Sequence, residues 1–179
     1  MRPLMALTLW LSCSLVQQMQ DPYVDAQGKL KSALVLRTRL TAFAITLQVW
    51  TIEPSGNWKW EQFTLPDEKV EPVLGEQRKG SLSDGQLAKL IQTMRQAKLN
   101  TLPDSVGTDG QINFLNLEIV FDKRTVAVRG LDPPIEGGIV QSLQDKAGAS
   151  PDDINEAYLG AAKLADVVWE ITREIPREK

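Results

Sequence analysis

Between Ala33 and Thr64 the apolar positions fall two residues apart, the period of a β-strand. Leu34, Leu36 and Leu40 hold one phase, and Phe43, Ile45, Leu47 and Val49 hold the other. The change of phase places a bend or bulge near Thr41-Ala42. Threonine, valine, isoleucine and tryptophan are enriched here, as strands prefer. Pro54-Ser55-Gly56 suits a three-residue hairpin loop, a type I turn followed by glycine in the left-handed conformation. That loop pairs Glu53 with Asn57, and so sets Ile52 opposite Trp58, Trp50 opposite Trp60 and Gln48 opposite Gln62. One face of the hairpin then carries Trp50, Ile52, Trp58 and Trp60, while the other carries Leu47, Val49 and Phe63. A half-exposed sheet has one polar face; this hairpin has none. The tryptophan side therefore either lies under a helix, the one bearing Trp169, or is an exposed patch for a sugar or protein surface. Trp50, Ile52, Trp58 and Trp60 are the candidate binding residues.

Leu65 to Gly80 mixes prolines, glycines and both charges and reads as a loop, solvated or available for contact. The period then changes to that of a helix. Ser83 with Gln86 forms a capping box, and Leu82 with Leu87 a hydrophobic staple. Leu87, Leu90, Ile91 and Met94 continue at helical spacing, which predicts an amphipathic helix from Asp84 to about Lys98. Asn100 to Gly110 is rich in turn residues. Leu115, Leu117, Ile119 and Phe121 alternate, and Val126 and Val128 resume after Asp122-Lys123-Arg124, giving a second hairpin. Pro133-Pro134 is placed to open a short helix, with Ile135, Ile139, Val140 and Leu143 on one side. Ser150-Pro151-Asp152-Asp153 starts a long helix, with proline in its first turn and acids at its positive end. Ile154, Tyr158, Ala161, Ala165, Val168 and Ile171 or Thr172 line its inner face.

The expected fold is α+β: an antiparallel sheet of about four to five strands, made of two hairpins and covered by two or three helices. Residues 1–20 read as a signal segment, 21–32 as a polar tether and 33–179 as a single domain ending in the long helix. Arg2, the apolar run Leu4 to Leu11 and the small residues Ser12, Cys13 and Ser14 follow the order of a secretory signal. The run is too short to span a membrane, which takes about 20 residues. Cys13 is discarded with the signal, carries the lipid of a bacterial lipoprotein, or remains as a free thiol. The expected location is thus the periplasm, the cell envelope or the extracellular space. Any membrane attachment is through lipid at Cys13.

Composition narrows the chemistry. The chain has 179 residues, 42% of them hydrophobic, so one domain can build a sufficient core. A net charge of −3 offers no basic field to nucleic acid. With no histidine and one cysteine there is no Ser-His-Asp triad, Cys-His dyad or histidine-ligated metal. Gly75 to Ser81 has lysine before glycine, the wrong order for a phosphate loop. Gly107 to Glu118 places Ile112 where a calcium loop needs glycine. Glu53, Glu61 and Glu118 are the carboxylates of a conceivable hydrolase, and are more simply read as solvated strand faces. No cofactor is expected. The balance points to a non-catalytic binding or interaction domain with a protein or glycan partner.

The block Leu82 to Leu143 resembles, in part, emfourin and its small bacterial relatives, which inhibit thermolysin-type metalloproteases. The resemblance rests on the capped leucine-bearing helix, Leu99, Leu102-Pro103 and an acidic turn. It continues through a strand with Phe114 and Leu117, then Thr125 to Val128 and Pro133-Pro134. It implies a protease-inhibitor role and assigns that role to no residue.

Overall fold

The computed structural model describes residues 21–41, 45–65, 71–106, 115–131 and 156–173. The signal segment, the short helix after Pro133-Pro134 and the start of the long helix lie outside these residues. The described elements are β1 (Leu34–Thr41), β2 (Ile45–Ile52), β3 (Asn57–Leu65), β4 (Val73–Ser81), α1 (Asp84–Gln96), β5 (Ser105–Val106), β6 (Leu115–Phe121), β7 (Arg124–Leu131) and α2 (Glu156–Arg173). All seven strands form one sheet in the order β4-β3-β2-β1-β6-β7-β5. Five of the six neighbouring pairs run antiparallel, and β5 pairs parallel with β7.

This overturns the expected α+β arrangement of four or five antiparallel strands under two or three helices. The protein is dominated by a seven-stranded mixed sheet, with two helices among the described residues. The two unforeseen strands have physical causes. β4 lies where a loop was expected. Its side chains are exposed on both faces, apart from half-buried Gly80. A strand with no buried face has no apolar phase to read; its backbone ladder to β3 holds it. β5 has only two residues, too few for a period.

Where burial is one-sided, the pattern held. The β2–β3 register is Ile52↔Trp58, Trp50↔Trp60 and Gln48↔Gln62. The Glu53 amide donates to the Asn57 carbonyl at 2.8 Å, and Gly56 closes the turn with φ of 84°. α1 begins with the capping box: Ser83 Oγ accepts from the Gln86 amide, and Gln86 Oε1 accepts from the Ser83 amide. It ends in a Schellman motif, in which the Leu99 amide reaches the Met94 carbonyl and the Lys98 amide the Arg95 carbonyl. Leu99 and Met94 are both buried, giving the apolar contact that accompanies this cap.

Both helices contribute to one core with a single face of the sheet. Leu34, Leu36, Ile52, Leu117, Ile119, Val126 and Val128 meet Leu90 and Met94 of α1 and Leu164, Ala165 and Val168 of α2. The helices approach closely where Gly160 meets Ala97: a Cβ added there would sit 3.2 Å from the Ala97 backbone. Residues 21–32, expected as a tether, dock onto the fold. Tyr23 and Leu30 are 2% and 1% exposed, and Tyr23 packs on Phe121 with ring centroids 5.9 Å apart. The Tyr23 hydroxyl donates to Asn100 Oδ1 at 2.6 Å. Burial raises the Tyr23 phenol above its ordinary pKa.

Candidate functional site

The register of the sheet aligns side chains in rows across its helix-bearing face. One row, Leu34, Ile52, Trp58 and Gly80, is apolar. The next, Leu36, Trp50, Trp60 and Arg78, is aromatic at its centre. The third, Thr38, Gln48, Gln62 and Glu76, is polar throughout. Successive inward residues of a strand lie two positions apart, so these rows are stacked along the strand direction. The polarity of this face therefore changes over one step in three adjacent strands, β1, β2 and β3, while β4 is charged at both positions.

α2 covers the aromatic row. Trp169 packs against Trp50 with ring centroids 5.9 Å apart, and Trp50 against Trp60 at 6.3 Å, both pairs tilted as aromatic pairs prefer. Trp50, Trp58 and Trp60 are left 6%, 4% and 8% exposed. The open tryptophan platform is not what the fold presents; the helix bearing Trp169 lies over it. Ile52 is 1% exposed and belongs to the core. All four residues share a face, as the hairpin register required.

The tryptophans nevertheless border a cavity of about 500 Å³ between the sheet and the C-terminal half of α2. Trp50, Trp58, Trp60 and Trp169 form its aromatic wall. Thr38, Thr46, Gln48, Gln62 and Glu76 give it a polar floor, with Thr172 and Arg173 on the helix side. Its volume lies within the range of small-molecule sites, roughly 300–1,000 Å³.

Gln48 Nε2 donates to Gln62 Oε1 at 3.4 Å, a long contact. Arg78 stacks its guanidinium over Trp60 at 4.8 Å and donates to Glu76 Oε1 at 2.8 Å from Nε and 2.5 Å from Nη2. The indole N–H groups of Trp58 and Trp169 are buried without an acceptor among the described residues. An unmet buried donor costs roughly 1–3 kcal/mol; the rings of both residues line the cavity, while the nitrogens themselves are closed off from it.

The arrangement suits recognition. Neutral amides donate and accept without changing protonation, aromatic edges supply apolar contact, and one arginine is held in place by a stack and a carboxylate. Glu53, Glu61 and Glu118, the carboxylates considered from the sequence, do not gather here. Lys59 neutralises Glu61 at 2.7 Å and Arg37 neutralises Glu118 at 3.1 Å, both pairs at least partly exposed. Sequence reasoning missed the polar floor. Its signal was present: Gln48 and Gln62 share the phase of three tryptophans, and a polar pair on an otherwise apolar phase calls for its own explanation. Glu76 and Arg78 had no such signal, because β4 itself was not foreseen.

Among the described residues no group of three acidic or cysteine side chains is placed to hold a metal ion, and no helix is long and apolar enough to cross a membrane. Compared with known proteins, the chain matches no family model and no curated protein.

Proposed function

We propose that this protein is a non-catalytic binding domain whose ligand site is the cavity beneath α2, and that the ligand is a small polyhydroxylated ring of the sugar class. The observation that carries this reading is the polar row lying beside the aromatic row inside one cavity. A sugar ring has apolar C–H faces and a rim of hydroxyls, and needs both kinds of surface within one ring width. The Gln48–Gln62 pair offers an amide fork, and Arg78 with Glu76 a fixed donor and acceptor pair at the edge.

The test is a titration with mono- and oligosaccharides, following the indole N–H resonances by nuclear magnetic resonance. Saturable shifts of Trp58 and Trp169 are expected, with Q62A weakening binding about tenfold, the equivalent of one lost hydrogen bond. No saturable shift across the panel overturns the sugar reading. Export to the periplasm, envelope or medium belongs to the same proposal and rests on the charged, apolar, small order of Met1 to Val16. Its check is the intact mass from the native cell: a full-length cytosolic chain refutes export, and a start at Cys13 plus lipid identifies a lipoprotein.

A further inference from the structure

The two rims of the sheet are unlike. β5 ends one rim with two residues, a short strand that offers little to pair with. β4 ends the other with nine, and among the described residues no strand pairs with its outer side. Val73 and Leu74 on this rim are 56% and 48% exposed, the exposed large apolar side chains of the described residues.

The direction of its backbone groups follows from the hairpin. Glu53 and Asn57 are a hydrogen-bonded pair, so alternate residues of β3 from Asn57 onward face β2. Trp58, Trp60 and Gln62 therefore face β4, and their partners Gly80, Arg78 and Glu76 direct their backbone groups to β3. Gln77 and Lys79 are left with N–H and C=O pointing outward.

We propose that this rim pairs antiparallel with the β4 rim of a second copy, about a two-fold axis through Gln77. Gln77 then lies opposite itself and exchanges two backbone hydrogen bonds with its equivalent. Glu76 falls opposite Arg78 of the second copy, and Arg78 opposite Glu76. These are the non-hydrogen-bonded positions, where Cα atoms approach to about 4.5 Å and side chains are closest. Lys79 falls opposite Gly75, so no like charges meet. The neighbouring registers are worse. An axis through Arg78 sets two arginines face to face at the closest approach, and one through Glu76 sets two glutamates there. Charge self-complementarity thus selects one pairing. The two sheets would become continuous, with their cavities side by side, because Glu76 and Arg78 also border the cavity. A strand rim alone buries less than the roughly 1,200 Å² of a standard interface, so the dimer is weak and concentration-dependent.

Sedimentation equilibrium of the purified protein from about 10 μM to about 1 mM tests this. A reversible monomer–dimer equilibrium is expected, weakened by salt as the charge pairs are screened. E76K makes positions 76 and 78 both positive and R78E makes them both negative, Lys79 lying on the other face of the strand. Each variant alone is expected to remain monomeric, and an equimolar mixture of the two to dimerise. In the unaltered protein the Gln77 and Lys79 amides should slow their hydrogen exchange in step with the dimer fraction. A monomer at the highest concentration, a dimer that persists in E76K alone, or a dimer that leaves both amides unprotected overturns the proposal.

Discussion

Single residues at the ends of α1 decide more than their exposure suggests. Lys98 follows the helix with φ of 50°, the left-handed region that glycine adopts without strain. Its side chain is exposed, and its contact with Glu156, at 3.9 Å between exposed groups, is too screened to offset the strain. K98G should therefore stabilise the protein by about 0.5–1 kcal/mol, seen as a higher urea midpoint at unchanged m-value. Ser83 works in the other direction. Its hydroxyl satisfies the Gln86 amide, so S83A should cost about 1 kcal/mol; an unaltered midpoint would show that Ser83 does not cap. Asp21 gives a pH dependence. Its slight burial acts to raise the carboxyl pKa, but the Tyr23 amide and the Arg95 guanidinium hold it below the ordinary value of 3.8. A depressed acid stabilises the fold above its unfolded pKa and loses that contribution as pH falls through the folded value. The stability difference between the native protein and D21N should be full at about pH 6 and shrink as the pH falls below the ordinary value of 3.8. A difference constant across that range would show that the Asp21–Arg95 pair carries none of it.

At the scale of elements, the two helices meet through their smallest side chains. Gly160 of α2 stands against Ala97 at the end of α1, with backbone rather than a flexible side chain facing it. G160L must force the helices apart and should cost about 1–3 kcal/mol by overpacking, with thermal melting as the measurement. The same contact shows what the sequence could reveal. The α2 stripe was legible because Ala161, Ala165, Val168 and Ile171 repeat at helical spacing and bury one face. Gly160 is adjacent to that stripe and carries no signal, since a missing side chain matters only once a neighbour is placed beside it. The strands divide likewise. β1, β2, β3, β6 and β7 announced themselves because each has a buried phase. β4 did not, because the pattern of a strand is a record of burial and β4 has almost none. The site inherits this division: the tryptophans and their register were readable, whereas the Glu76–Arg78 edge depended on a strand with almost no buried side chain.

At the scale of the molecule, the fold closes through contacts distant in sequence. β1 sits at the centre of the sheet, between its hairpin partner β2 and β6, which follows it by some 80 residues (Arg37 bonds to Glu118 across the pair). The chain before β1 reinforces that closure. Val24 bridges to Leu30, Asp21 pairs with Arg95 of α1, and Tyr23 joins Phe121 of β6 to Asn100 beyond the helix. One short segment thus ties the end of α1 to the end of the central strands, the points that must meet for the sheet to close. A solvated tether could be removed without effect. This segment buries an aromatic and a leucine, each contributing about 1.5–3 kcal/mol when fully removed from water. Ordering its residues offsets part of that gain, which leaves a net contribution of a few kcal/mol at most. A protein lacking residues 21–31 should unfold at a clearly lower urea concentration, with the loss reproduced largely by Y23A alone, since that substitution removes both the ring and its hydrogen bond to Asn100. If the shortened protein instead unfolds at the same midpoint, the docking of Tyr23 and Leu30 adds nothing to the stability of the sheet, and the domain begins at β1.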